Sequence, residues 1–208
     1  MIQDIIGIRS GCGIILAILM VICLTIFFFD VTLAQQEQQE QIPLTKQVNR
    51  SFESSTNTAN LNQDNEVVLG SFGDDRITGT NGSDIIIGLL GSDTLRGRGG
   101  DDKLQGNEDV DRLYGEIGND LLQGGMASDQ LYGGEGDDIL AGGIGDDFLI
   151  GEQGNDKLYG GADDDILQGA EGADYFDCGD GVDIVIDFNI GEGDDNAGNC
   201  EEITSNNE

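Results

Sequence analysis

Residues 70–186 repeat every nine residues without an insertion or a deletion, and this period restricts the fold more than any other feature of the sequence. Thirteen units fit in register, and GGEGDDILA (133–141) and GGIGDDFLI (142–150) are among the clearest. Glycine occupies position one in twelve units and position four in ten. A fixed short period is typical of architectures in which each unit packs only against its neighbours, because one unit alone cannot bury a core.

Position six of the repeat is aspartate in all thirteen units, and position eight is always a large apolar residue. A low-complexity segment rich in glycine and aspartate would not keep such a phase. We predict that the position-six carboxylates are metal ligands. They are Asp75, Asp84, Asp93, Asp102, Asp111, Asp120, Asp129, Asp138, Asp147, Asp156, Asp165, Asp174 and Asp183.

The residue types predict the chemistry of the loop that positions one to six form. Glycine at positions one and four is expected to permit positive φ angles, so that the loop curls and directs backbone carbonyls inward. The position-six carboxylate joins them in the same concavity. These hard oxygen ligands suit Ca²⁺ better than a transition metal or Mg²⁺, which prefers a near-ideal octahedron and keeps its waters. Positions seven to nine predict a short strand with position eight in the core and its two neighbours facing solvent.

In these recurring positions the sequence resembles the RTX, or haemolysin-type, calcium-binding repeat family, whose pattern is GGxGxDxUx. The resemblance covers 117 of the 208 residues. It implies an all-β fold: a right-handed parallel β-roll (a β-solenoid) of about 13 nonapeptide repeats, two of which make one coil. Odd-numbered units would then stack in one sheet and even-numbered units in the other.

The same resemblance implies how the metal is held. Each Ca²⁺ would lie between turns two repeats apart, bridged by two position-six aspartates, such as Asp75 with Asp93, and by loop carbonyls. This arrangement permits up to about eleven ions. An 18-residue coil would also make Tyr114 and Tyr132 stacked neighbours on one face.

Some units depart from the family pattern. Only five units carry glycine at position two. Asp109, Ala127 and Asp163 replace glycine at position four. We therefore expect weaker ion binding near units five, seven and eleven.

The chain before the array divides into two segments. Residues 1–34 contain an apolar run of 19 residues, 11–29, which predicts a hydrophobic helix. This helix is either a signal peptide cleaved before Gln35 or an uncleaved membrane anchor. Both alternatives place the rest of the chain outside the cytoplasm, and only the anchor gives it contact with a membrane. Residues 35–66 are rich in Gln, Glu, Asn, Ser and Thr without a period, which predicts a disordered polar linker.

The β-roll is predicted over residues 67–186, with 67–69 covering its first coil, and residues 187–208 are predicted to form a C-terminal cap or tail. An open stack of strands needs such covers, because a bare sheet edge invites aggregation. Cys178 and Cys200 bracket the beginning of the tail. Outside the cytoplasm they are expected to form a disulfide that pins the tail over the last coil.

Charge and composition exclude several classes of function. The net charge of −32, from 41 acidic and 9 basic residues, excludes nucleic acid as a partner. The absence of histidine excludes Ser-His-Asp and Cys-His nucleophiles and the usual catalytic zinc sites. Residues 70–186 hold 27 acidic and 6 basic residues, and this excess keeps the stretch expanded until cations neutralise it. We therefore expect the chain to leave the cell unfolded and to fold outside on Ca²⁺.

These observations favour a secreted or cell-surface calcium-binding protein that is not an enzyme and serves as a structural or adhesive module. The sequence does not identify its surface or matrix partner. The alternative is a carbohydrate-active enzyme of the lyase or epimerase type, or an accessory domain of one, because such enzymes also use β-solenoids. Arg96, Arg98 and Lys103 come nearest to the basic cluster that it would need. Ice binding would need a threonine ladder, and the array holds only three threonines.

Overall fold

The computed structural model describes residues 57–60, by their backbone, and residues 65–204. The predicted N-terminal hydrophobic helix and most of the predicted linker lie outside these residues. The described part of the chain contains no α-helix. These residues therefore include no helix that could span a membrane.

The strands alternate between two parallel sheets, and each strand pairs with the strand two places further along the chain. Sheet A contains β1 (Asn57–Asn60), β3 (Asp75–Thr78), β5 (Thr94–Gly99), β7 (Arg112–Ile117), β9 (Gln130–Glu135), β11 (Phe148–Gln153), β13 (Ile166–Glu171), β15 (Ile184–Ile186) and β17 (Glu202–Ile203). Sheet B contains β2 (Val67–Leu69), β4 (Ile85–Leu89), β6 (Lys103–Asn107), β8 (Leu121–Met126), β10 (Ile139–Ile144), β12 (Lys157–Ala162), β14 (Tyr175–Asp180) and β16 (Asp195–Asn196). The described chain is therefore an all-β parallel β-solenoid of about eight turns.

The register of the sheets follows the repeat. Leu113 pairs with Leu131 in sheet A, and Leu140 pairs with Leu158 in sheet B, so that one coil takes 18 residues. Odd-numbered units supply the strands of sheet A and even-numbered units those of sheet B, which confirms the predicted alternation.

A column of position-eight side chains forms the core between the sheets. Each of these side chains, from Ile77 to Val185, is at most 1% exposed. Burying one leucine or isoleucine contributes roughly 1.5–3 kcal/mol, and stacking supplies the neighbours that one short strand lacks. Positions seven and nine face outward, as predicted. The rings of Tyr114 and Tyr132 stack with their centroids 4.9 Å apart, which confirms their predicted contact.

Left-handed residues at positions two and four bend the chain in most units. From Leu89 (φ 92°) onward, position two is left-handed even where it is not glycine, as at Glu152 (φ 81°). Position four stays left-handed at Asp109 (φ 71°) and Asp163 (φ 79°), so that these substitutions preserve the turn. The prediction that glycine supplies a positive φ at position one is wrong. No described position-one glycine is left-handed, and the reason for glycine there is the space it leaves.

The solenoid begins before the repeats do. Val68 of β2 is 6% exposed and joins the core column. β1 pairs with β3, and Asn57 is the partner of Asp75 one coil later. The disorder predicted for residues 35–66 stays a prediction, and within this range residues 57–60 extend sheet A. The physical reason is that β1 supplies hydrogen-bond partners for the backbone of β3, which would otherwise be an open sheet edge.

The tail closes the other end of the solenoid. β16 and β17 continue the two sheets, and the ring of Phe188 lies 5.9 Å from that of Phe176, between centroids. Cys178 and Cys200 form a disulfide with their Cα atoms 5.3 Å apart. A cross-link over a loop of this size contributes about 3 kcal/mol by restricting the unfolded chain. The tail therefore lies where a cap was predicted.

Candidate metal centre

The position-six aspartates form two buried ladders, one from the odd-numbered and one from the even-numbered units. Their exposed fractions are 3% or less. From Asp93 onward, each Oδ1 accepts a hydrogen bond from the backbone N–H of the aspartate one coil earlier: Asp111 donates to Asp129 (2.8 Å) and Asp120 to Asp138 (2.7 Å). A backbone-to-carboxylate bond therefore joins aspartates that are two repeats apart, and the bridging of a Ca²⁺ by such a pair stays a prediction.

The second carboxylate oxygen, Oδ2, is buried without a hydrogen-bond partner in every unit from the third onward. These orphaned atoms belong to Asp93, Asp102, Asp111, Asp120, Asp129, Asp138, Asp147, Asp156, Asp165, Asp174 and Asp183. Burying a carboxylate oxygen without a partner is costly, and native proteins rarely leave such groups unsatisfied. An orphan that recurs in one phase of a repeat indicates a ligand rather than a local defect.

All orphaned Oδ2 atoms except that of Asp183 lie so close to a position-one glycine that a side chain there would collide with them. A Cβ built on Gly97 would collide with Oδ2 of Asp102 and would lie 2.8 Å from the carbonyl oxygen of Gly115, one coil later. We call this space, between a position-one glycine and the Oδ2 five residues further on, a cradle. Ten cradles contain an orphaned Oδ2, and their glycines are Gly88, Gly97, Gly106, Gly115, Gly124, Gly133, Gly142, Gly151, Gly160 and Gly169.

The donor atoms of the cradles fit Ca²⁺. They are carboxylate and carbonyl oxygens, the hard ligands that this ion prefers. Among the described residues, no group of three or more Asp, Glu, Cys or His side chains could hold a metal ion. Backbone carbonyls therefore have to complete any coordination shell. The last unit differs from the rest, because Cys178 occupies position one and Asp183 has no glycine-lined cradle.

Burial raises the pKa values of the ladder carboxyls toward neutrality. Burial raises the pKa of Asp129 to about 8, although the hydrogen bond from the Asp111 N–H opposes the rise. The negative charges of Asp111 and Asp147 add to this rise. The same kinds of cause raise the pKa of Asp138 to about 8 and that of Asp156 to about 7. Without a cation, these carboxyls hold protons at a pH where an exposed aspartate is ionised.

The first coil, residues 70–87, satisfies its carboxylates without a cation. Oδ2 of Asp75 accepts a hydrogen bond from the N–H of Ser71. Oδ2 of Asp84 accepts hydrogen bonds from the N–H (2.6 Å) and the hydroxyl (2.9 Å) of Thr80. No residue of this coil is left-handed. The structure thus separates two of the thirteen predicted ligands, Asp75 and Asp84, from the other eleven.

The sequence pattern missed three acidic residues beyond the array. Asp194 and Glu201 accept hydrogen bonds from the N–H groups of Asp174 and Asp183, so that they continue the two ladders (both 3.0 Å). Oδ1 of Asp187 is a further buried atom without a partner. Asp187 lies nine residues after Cys178, which is position one of the last unit, and Glu201 lies 18 residues after Asp183, which is position six of that unit. Both residues are therefore in phase with the array, and this signal could have found them.

The three basic residues that come nearest to the cluster that a lyase or epimerase would need do not all lie on one sheet. Arg96 and Arg98 lie on β5 in sheet A, whereas Lys103 begins β6 in sheet B. The alternation of units between sheets separates residues that are neighbours in sequence.

A parallel solenoid with repeated buried carboxylates beside oxygen-lined cradles defines a calcium-binding β-roll. The family model for the RTX calcium-binding nonapeptide repeat (4 copies) matches residues 62–95, 87–122, 114–149, 123–158 and 150–185. These matches span more than half of the chain, and the chain belongs to this family, whose repeats imply calcium binding by a β-roll. No curated protein matches the chain.

Proposed function

We propose that this chain is an exported protein whose β-roll folds on Ca²⁺ bound in the ten cradles. It then serves outside the cell as a structural or adhesive module. The observation that carries the proposal is the series of buried Oδ2 atoms that lack a partner in a fixed phase of the repeat. Bound Ca²⁺ supplies the positive charge that these carboxylates lack.

Each part of the repeat has a separate role in this proposal. The position-six Oδ2 and the position-one carbonyl oxygen one coil later, such as those of Asp102 and Gly115, would hold the ion. The position-one glycine keeps the space open, and the left-handed residue at position two leaves Oδ2 without a backbone partner. Oδ1 ties each coil to the preceding one. The weaker binding expected near Asp109, Ala127 and Asp163 stays a prediction.

The charge of the array couples folding to the ion. The 27 acidic and 6 basic residues within 70–186 repel compaction when no cation is present. A ligand that binds only the folded state stabilises it by mass action, and extracellular calcium modules bind with Kd values of about 10⁻⁴–10⁻³ M. The chain would therefore stay expanded where free Ca²⁺ is scarce and fold where it is abundant.

Two further observations support the location and the class of function. The apolar run 11–29 fits an export signal or an anchor. RTX repeats are typically found in secreted proteins and typically form structural repeat domains. The proposal accordingly assigns the chain no catalytic step.

Far-UV circular dichroism of the full chain during a Ca²⁺ titration tests the proposal, with Mg²⁺ as the matched control. We expect a cooperative transition from coil to β-structure with Ca²⁺ and none with Mg²⁺ at the same concentration. A β-rich spectrum in EDTA at neutral pH would refute calcium-dependent folding.

A further inference from the structure

The outer face of sheet A carries no acidic side chain at positions seven and nine, although the chain has 41 acidic residues. The outward residues at positions seven and nine of strands β3 to β15 in this sheet are Arg76, Thr78, Thr94, Arg96, Arg112, Tyr114, Gln130, Tyr132, Phe148, Ile150, Ile166, Gln168, Ile184 and Ile186. Most of the acidic residues of the array lie in the loops, and sheet A carries Glu116 and Glu152 at position two of β7 and β11. Loops and sheet face therefore differ in charge.

Four of the six basic residues of the array lie on sheet A, near its N-terminal end. Arg76, Arg96 and Arg112 occupy outward positions of β3, β5 and β7, and Arg98 follows on β5. All four side chains are exposed. The one ion pair among the described residues joins Arg96 to Glu116 (3.2 Å), so that the other three guanidinium groups have no carboxylate partner there.

Aromatic stacking orders the side chains next to these arginines. The guanidinium carbon of Arg96 lies 4.2 Å from the ring centroid of Tyr114, which in turn stacks on Tyr132 with an interplanar angle of 6°. Nε of Arg112 donates a hydrogen bond to Gln130 (3.1 Å). These contacts restrict the side chains before a ligand arrives, and less entropy is lost on binding.

Hydrogen-bond donors remain for a ligand on this face. Within residues 65–204, the hydroxyl groups of Tyr114 and Tyr132 make no hydrogen bond to protein. Neighbouring strands place these donors about 4.8 Å apart along the axis of the roll. We name the patch formed by Arg76, Arg96, Arg98, Arg112, Tyr114 and Tyr132 the arginine–tyrosine face.

We propose that the arginine–tyrosine face binds an extended anionic polysaccharide whose sugars carry carboxylate or sulfate groups. Guanidinium groups bind such anions through paired, charge-assisted hydrogen bonds. A regular spacing of donors suits a polymer that runs along the roll and repeats its anionic group. Charge complementarity selects a polyanion, because four arginines with Glu116 beside them make a basic patch on a chain with a net charge of −32.

The polar character of the patch favours a polysaccharide over a lipid surface. Thr78, Thr94 and Gln130 are the cross-strand partners of the outward arginines, and the apolar outward residues of the sheet begin only at Phe148. The inference rests on the proposed function in one respect: the roll must fold, and Ca²⁺ on the loop carboxylates would also remove the repulsion that a polyanion meets there.

Sheet B offers matched control residues. Lys103 and Lys157 also stand at position seven, one on β6 and one on β12, with two strands of sheet B between them. The double variant K103Q/K157Q removes as much charge as R96Q/R112Q, from the opposite sheet. A general effect of charge would be equal in the two variants.

Isothermal titration calorimetry of the full chain in saturating Ca²⁺ tests the inference. The probes are dextran sulfate and an oligogalacturonate too short to gel with Ca²⁺, with neutral dextran as the negative control. We expect R96Q/R112Q to weaken binding of both anionic probes at least about tenfold, because each lost contact is charge-assisted. K103Q/K157Q should change the affinity by less than about twofold.

Several results would overturn this inference and leave the proposed function intact, provided that circular dichroism shows normal folding on Ca²⁺. They are the absence of binding by the unmodified chain, equal losses in the two double variants, and tighter binding to phosphatidylserine vesicles than to either polymer. Self-association that R96Q/R112Q abolishes would assign the face to a second copy of the chain instead. A failure to fold on Ca²⁺ would overturn the proposed function itself.

Discussion

The first coil and the units that follow it all carry aspartate at position six, but Oδ2 of this aspartate has hydrogen-bond partners only in the first coil. In the first coil, Thr80 closes over Oδ2 of Asp84 with its N–H and its hydroxyl. In the eighth unit, Oδ2 of Asp138 has no partner, and position two is the left-handed Gly134 (φ 121°). We propose from this comparison that the first coil folds without a metal, whereas the body of the roll, residues 88–186, depends on Ca²⁺. Position two would then decide to which of the two regions a unit belongs.

The largest effect is expected from filling a cradle in the body. In Gly133→Ala the new Cβ would meet Oδ2 of Asp138 and lie 2.7 Å from the carbonyl oxygen of Gly151. Overpacking of this kind costs roughly 1–3 kcal/mol, and the variant should also lose one Ca²⁺. Gly73→Ala in the first coil is the control, because a Cβ there has no atom within 4 Å. Equal calcium counts and equal urea stability in the two variants would contradict the cradle.

The second effect compares the same aspartate substitution in the two regions. Asp138→Asn keeps an Oδ1 acceptor for the ladder but removes the negative charge from the cradle, so that the chain should bind one Ca²⁺ fewer. Asp84→Asn should leave the calcium count unchanged and cost about 1 kcal/mol through its weaker hydrogen bonds. Calcium counted by equilibrium dialysis and stability measured by urea unfolding distinguish these outcomes. Loss of an ion in Asp84→Asn would show that the first coil is not metal-free.

A third effect is the pH dependence of the body in EDTA. Burial raises the pKa of Asp111 to about 6, that of Asp93 to about 7 and that of Asp138 to about 8, from an ordinary value of 3.8. Between 3.8 and these values the folded state binds more protons than the unfolded state, so that the free energy of unfolding falls as pH rises. In EDTA, any β-structure should therefore be most stable near pH 5 and be lost as pH rises toward about 8, which circular dichroism can follow. A gain of β-structure in EDTA over this range would contradict the orphaned carboxylates.

Converting the first coil into a body unit should have a smaller effect. Thr80→Gly removes the hydroxyl and permits a left-handed position two, so that Oδ2 of Asp84 becomes available. The variant should bind one additional Ca²⁺, counted by equilibrium dialysis. Thr80→Ser keeps the hydroxyl and should match the unmodified chain. An unchanged calcium count in Thr80→Gly would mean that position two does not decide between the two regions.

The smallest effect concerns backbone strain in the body. Glu152 is left-handed (φ 81°), a conformation that costs a residue with a side chain about 1 kcal/mol or more. Glu152→Gly should therefore stabilise the calcium-loaded roll by about 1 kcal/mol in a urea titration. Glu135→Gly removes the same charge from a residue that is not left-handed and should destabilise the roll slightly. Destabilisation by Glu152→Gly would show that its side chain has a role that the turn does not reveal.

The sequence predicted what the repeat encodes. The core column from Ile77 to Val185 and the burial of every position-six aspartate follow from phase alone, because each unit places the same residue type in the same surroundings. The turn at position two did not follow. Thr80, Leu89 and Gly134 show no common residue type there, yet only Thr80 of the three is not left-handed, and its hydroxyl bonds the carboxylate.

Other features lie outside the reach of the nine-residue pattern. β1 lacks the Gly and Asp signature, and Asp194 stands 20 residues after Asp174, which is out of phase with the ladder that it continues. Arg96 and Lys103 are close in sequence but lie on opposite sheets, because successive units alternate between the sheets. Prediction was thus reliable where the chain repeats and failed where a single residue replaces the repeat.

Native mass spectrometry of the calcium-loaded full chain measures the central claim most directly, because it counts the ions that one folded molecule holds. The structure predicts ten Ca²⁺, one for each cradle with an orphaned Oδ2, and none at Asp75 or Asp84. A folded chain that carries no Ca²⁺, or only one or two ions, would contradict the account.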